Sequence, residues 1–193
     1  MFRNMTFEAP RELTDPRAMR AMAHPVRLAL MEALNDAGTL TATEAAERVG
    51  ESPSNCSFHM RQLAKYGFVE EAEGGTGRQR PWKTVQTGMR FTDVHEDPET
   101  ARAAGVLAQV VQERWIERAR VGLAQRHTLP EEWRRVSGSD QMTLYVTPEE
   151  MKQINDEMLE ILFRYRERIE DPSKRPAGSR QMEHVAFYYA VGE

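Results

Sequence analysis

Ser54, Asn55, Ser57, Phe58, Arg61 and Gln62 fall within one short stretch of the chain, and their side chains suit the edges of base pairs. An arginine fork matches the acceptors of guanine, and Asn or Gln can bond adenine at two points. Ser hydroxyls pair with several bases, and an apolar ring such as Phe58 can meet a thymine methyl. The spacing predicts a helix to carry them. Ser52 is a helix-start residue and Pro53 suits the first helical position, where a missing N–H costs nothing. Gly67 suits a left-handed cap at the far end. Cys56, His59, Met60 and Leu63 recur at helical spacing and form the inner face, which leaves the six polar or aromatic residues and Lys65 largely on the outer one. An ordinary amphipathic surface helix has the same pattern, so the neighbouring elements must decide.

Upstream, residues 14–16 (Thr-Asp-Pro) start a first helix with Ala18, Met19, Met22 and Ala23 on its apolar side. A second runs from Pro25 to Asn35, with Val26, Leu28, Leu30, Met31 and Leu34 as a broad buried face, and residues 35–38 end it. A short third helix runs from about Thr43 to Val49, and Gly50-Glu51 makes the turn into the polar helix. Two helices joined by a short Gly-containing turn, the second polar outside, form a helix-turn-helix. Downstream, residues 68–72 and 81–87 alternate like two strands, and a Gly-rich tip between them carries Arg78 and Arg80. A basic hairpin placed directly after a helix-turn-helix forms a wing that grips phosphates or the minor groove. Lys65, Arg78, Arg80 and Lys83 are therefore expected on phosphates, and double-stranded DNA is the expected partner.

The segment Ala23-His24-Pro25-Val26-Arg27-Leu28-Ala29-Leu30-Met31-Glu32-Ala33-Leu34, followed by residues 52–69 and the hairpin, resembles the winged helix-turn-helix of ArsR-type bacterial transcriptional regulators. The resemblance covers roughly residues 13–90. It implies a homodimeric regulator, often a repressor. The fold expected is α+β, mainly α: a flexible arm over residues 1–12, a winged helix-turn-helix domain over 13–92, and a dimerisation and effector-binding region over 93–193. That last region is read as a long dimerisation helix and a small α+β appendage.

Charge distribution agrees with this placement. The chain has 193 residues and a formal net charge of -4, yet residues 52–90 hold six basic against three acidic residues, and residues 93–193 hold 14 against 19. Positive charge thus gathers at the expected DNA-facing surface. No apolar run approaches the ~20 residues of a membrane span, and the N-terminus lacks the blocks of a secretory signal. The expected location is the cytoplasm, which one cysteine also suits, since no internal disulfide can form. Many proteins of the resembled family sense metals. Cys56, however, has no second thiol and stands where a core residue belongs. Asp93-Val94-His95 resembles half of a metal pair, but the second half would require ligands near Val106 and Gln109, and two ligands do not make a tetrahedral site. No metal and no cofactor are expected. No nucleophile–base set, phosphate loop or carboxylate pair stands out, so enzymatic activity is not expected.

In the second half, residues 96–126 read as one long helix with apolar residues on more than one stripe. Val106, Val110 and Trp115 are candidates for dimerisation, against the alternative of a fully internal core helix. Residues 141–146 and 183–191 read as strands. Between them Thr147-Pro148-Glu149-Glu150 starts a helix carrying Met151, Ile154, Met158, Ile161, Leu162, Tyr165 and Ile169. Trp115, Trp133, Tyr145, Met158 and Tyr165 could line a pocket for a small-molecule effector, or could simply be core. A winged-helix protein-interaction module, with no sequence-specific DNA binding, remains the alternative function.

Overall fold

The computed structural model describes residues 11–74, 80–85, 89–92 and 94–191. The fold is α+β and mainly helical, and the chain divides into two units, Met1–Ile116 and Glu117–Glu193. Residues 1–10 of the expected arm lie outside the described residues. Its last two residues, Arg11–Glu12 (β1), pair in parallel with Met89–Arg90 (β4).

In the first unit each helix begins where a local signal places it. Asp15 accepts from Arg17 N at 2.8 Å and starts α1 (Pro16–Met22). His24 caps α2 (Pro25–Ala37) with its ring, Nδ1 accepting from Val26 N at 3.2 Å. Thr41 and Glu44 form a reciprocal capping box on α3 (Ala42–Val49), and Gly50 ends that helix in the left-handed region at φ 74. Ser52 accepts from Asn55 N at the start of α4 (Pro53–Lys65), with Pro53 at the first position. At the far end Phe68 N donates to Leu63 O and Gly67 N to Ala64 O. Those two bonds are the Schellman pattern, which requires a positive φ at Gly67; it is 69.

The chain then enters β2 (Val69–Glu71), which pairs antiparallel with β3 (Trp82–Thr84), Val69 opposite Thr84 and Glu71 opposite Trp82. On its other edge Trp82 exchanges both main-chain bonds with Leu40, at 2.7 and 3.0 Å. The hairpin is thereby bonded to the connection between α2 and α3.

One apolar core joins these elements. Met19, Leu30, Leu34, Met60, Leu63 and Leu107 are fully buried in it, each contributing about 1.5–3 kcal/mol by leaving water. Leu107 belongs to α5 (Pro98–Gln125), whose first half lays Ala103, Ala104, Leu107 and Val111 on the core. Asp97 starts α5 by accepting from Thr100 N at 2.8 Å. Arg114 clamps Glu32 of α2 through both carboxylate oxygens, and Arg20 reaches Glu99 at 2.7 Å.

The second unit holds the last turns of α5, a 3-10 turn (Arg126–Thr128), α6 (Glu131–Val136), α7 (Pro148–Phe163), α8 (Glu167–Glu170) and a 3-10 turn (Pro172–Lys174). Thr147 and Glu150 make the expected capping box. The helix expected to run on through Ile169 stops at Phe163, where tightened bonds such as Tyr165 N to Leu162 O break its ladder. Residues 141–146 and 183–191 do not form the expected strands. Alternating side chains suit a half-buried strand, but a ladder needs a neighbour. Neither segment has a main-chain partner among the described residues. No described helix is long and apolar enough to cross a membrane.

Leu63 is fully buried on the inner face of α4. Leu63→Ala is expected to cost about 2–5 kcal/mol, read as a lower urea midpoint for the first unit. An unchanged midpoint would place Leu63 outside the core.

Candidate nucleic-acid interface

The helix α4 divides cleanly into two faces. Cys56, His59, Met60 and Leu63 are buried, as their spacing required. Ser54, Phe58, Arg61 and Lys65 are exposed, and at intervals of four, three and four they form one stripe along the helix. Half-buried Ser57 lies on one side of the stripe, and half-buried Asn55 and Gln62 on the other. Several of these groups are held locally. Arg61 Nη1 donates to Ser57 Oγ at 2.5 Å, Asn55 Nδ2 donates to Glu51 at 2.8 Å, and the hydroxyls of Ser52 and Ser54 share a 3.1 Å bond. Lys65 lies over the Tyr66 ring, 5.7 Å from its centre.

On the Ser57 side an open cleft separates α4 from the hairpin. It is lined by Thr41, Thr43, Ser57, Arg61, Arg80 and Trp82, with Ala42 and Glu71. The start of α3 forms one wall, where first-turn N–H groups have no intrahelical acceptor and favour a negative charge. Two arginines and two threonines at such a helix start suit a phosphate oxygen. Thr41, Thr43 and Trp82 were missed by sequence reasoning. The Thr41–Glu44 capping box was a readable signal for the first, but the Leu40–Trp82 bridge that shapes the cleft is long-range.

The two basic residues described on the hairpin are already paired. Arg80 meets Glu71 at 2.7 Å and Lys83 meets Glu70 at 3.1 Å, all four side chains being exposed. Exposed pairs of this kind contribute about 0–1 kcal/mol, so a phosphate can displace the glutamates at small cost. Arg78, the other expected phosphate contact, lies outside the described residues.

Beneath the stripe, the rings of His24 and His59 pack with centres 4.5 Å apart. The Nδ1 of His59 is buried without a partner, as is Arg27 Nε; His24 meets His59 ring to ring and spends its own Nδ1 on the α2 cap. Burial holds both imidazoles below their usual pKa; the Arg27 charge lowers both further, and His24 adds to the effect on His59. Cys56 is a buried core residue whose thiol pKa burial raises. His95 meets the Thr92 carbonyl at 2.7 Å. No cluster of three metal-ligating groups occurs among the described residues.

Residues 22–72 match the family model of the helix-turn-helix domain. The match runs from the end of α1 through β2 and so takes in the whole of α3 and α4. No curated protein matches the chain. A helix-turn-helix with an exposed polar stripe on its second helix points to a DNA-binding regulator.

The remaining sequence-predicted residues are placed as follows. Val106 is 53 % exposed and Val110 half-buried; four apart, they share one edge of α5. Trp115, 43 % exposed, follows Val110 by five residues and so is turned about 140° away. Val106 and Trp115 therefore lie on opposite edges of the buried face. Of the residues considered for an effector, Trp133 is half-buried under the Arg180 guanidinium and Met158 accepts the Tyr188 hydroxyl at 3.3 Å. Tyr165 is 54 % exposed beneath Arg168, and Tyr145 is fully exposed. Tyr145 thus forms no enclosing wall within one chain.

The histidine pair gives stability a sign with pH. An unfolded chain takes up these protons near pH ~6.5 and the folded unit resists them. Stability is therefore complete above that value and falls as pH drops through the lowered folded values. The urea midpoint of the first unit is expected to be lower at about pH 5.5 than at about pH 7.5, and His59→Leu is expected to shrink that difference. An equal fall in both proteins would remove His59 as its source.

Proposed function

We propose that the protein is a cytoplasmic, homodimeric transcriptional repressor of the ArsR type that binds a pseudo-palindromic operator and does no enzymatic chemistry. One observation carries the reading: within the matched helix-turn-helix, a stripe of Ser54, Phe58, Arg61 and Lys65 lies free of the core directly opposite a buried face. Each copy of α4 enters a major groove, the half-sites lying ~34–36 Å apart. Ser54, Asn55, Ser57, Phe58, Arg61 and Gln62 contact base edges, and Lys65, Arg78, Arg80 and Lys83 contact phosphates. Val106, Val110 and Trp115 belong to the dimer contact. A small organic effector bound near the second unit alters the spacing of the two helices.

The pairing of Arg80 and Lys83 with Glu71 and Glu70 favours one competitor, a winged-helix protein-interaction module whose hairpin has satisfied its own charges. Binding of duplexes selected from a random pool separates the two. Arg61→Ala is expected to cost about 1–3 kcal/mol on the selected site and to relax its base preference. Arg80→Ala is expected to weaken all duplexes alike and to lower the salt slope by about one. Glu71→Gln, which frees Arg80, should tighten binding to every duplex at low salt. No retention of any duplex at low salt would end the DNA reading and leave the interaction module.

A further inference from the structure

Among its described residues the second unit has no interior. From Gln112 to Val191 no described residue is buried, whereas the first unit has a continuous core. The apolar side chains needed for one are nevertheless there. Between Val121 and Val191, eighteen large hydrophobic residues are each at least 40 % exposed, among them Met142, Ile161, Phe163, Tyr165 and Phe187. At 40 % exposure or more, these eighteen residues together present more than the roughly 800 Å² per partner of a standard stable interface, and obligate interfaces are the larger and more apolar ones. Ordering a residue costs about 1–2 kcal/mol in backbone entropy. A helix of the length of α7 is marginal in water unless its apolar face is packed. A unit so ordered and so uncovered is half of a structure.

We propose that a second copy of this chain supplies the missing half: residues 117–193 of two chains fold on one another into a shared core. The proposal rests on the homodimer reading above and goes beyond contact along α5. Two independent features select a second copy over an unrelated protein. The first is pairing: residues 141–146 and 183–191 carry strand patterning but lack a main-chain partner among the described residues. A two-fold axis brings identical segments together antiparallel and closes both edges at once. The second is supply. A region with no core of its own requires its partner whenever it is made, and another copy is always present in equal amount. The α7 seam of Met151, Ile154 and Met158, half-buried in one chain, then becomes interior.

Hydrogen exchange on the full-length protein tests this, with mass measured in solution by light scattering. A dimer is expected, with α7 amides protected at high concentration and their protection falling roughly in step with dilution through dissociation. Amides of α2 and α4 should keep their protection. Ile161→Asp combined with Phe187→Asp should give a monomer in which α7 exchanges at least about tenfold faster and α4 does not change. A monomer with α7 protected, or a dimer with α7 unprotected, would overturn the proposal, and neither outcome depends on the behaviour of the double variant. Duplex binding measured on the same samples separates this from the function above. A dimer protected in α7 that binds no DNA leaves the shared core and removes the DNA reading, and a protected monomer that binds DNA does the reverse.

Discussion

Everything exposed on α4 is exposed because the opposite side is committed. Met60 and Leu63 are fully buried together with Cys56, in a core built from α1, α2, α3 and the first half of α5. Turning the helix by one residue would carry Arg61 into the buried place of Met60 and move Leu63 out to the half-buried place of Gln62. The first change buries an unpaired charge, which costs several kcal/mol, and the second forfeits part of the about 1.5–3 kcal/mol that burying a leucine contributes. The outward stripe is thus oriented by the core before any ligand arrives. The same packing sets the hairpin. Phe68 and Gly67 close α4 with main-chain bonds to Leu63 and Ala64 respectively, so β2 leaves at a fixed angle and β3 is tied back to Leu40.

Electrostatically the surface is quieter than its arginine content suggests. Arg61 is held by Ser57, Arg80 by Glu71 and Lys83 by Glu70. These are exposed, weak contacts, and two of the three hold arginines that line the cleft, Arg61 and Arg80. A polyanion meeting them exchanges one set of oxygens for another. It gains most where two arginines converge beside the start of α3.

What the sequence made legible is what is local. The spacing of Cys56, His59, Met60 and Leu63 gave the inner face, and Ser52-Pro53 and Thr147 with Glu150 gave helix starts, each determined within one turn. Long-range register was not legible. Alternation at residues 141–146 and 183–191 shows that a strand would be content there, but says nothing of what lies beside it. The pairing of Arg80 with Glu71 depends on how the hairpin closes, and the cleft depends on Trp82 meeting Leu40 from the far side of two helices. The rotation between Val110 and Trp115 was legible, since five residues along a helix cannot return to one edge.

The helix α5 is continuous from Pro98 to Gln125, and its first half completes the core that orients α4. That arrangement has a consequence for the order in which the protein is made. A ribosome delivers the chain from its N-terminus, and early segments tend to fold first. Here α1 to α4 and the hairpin emerge with one wall of their interior absent, until Leu107 and Val111 follow. Nascent chains stalled before that point would lack Ala103, Ala104, Leu107 and Val111 of the core, so the first unit matures late in its own synthesis, when the helix leading into the next unit is already under way.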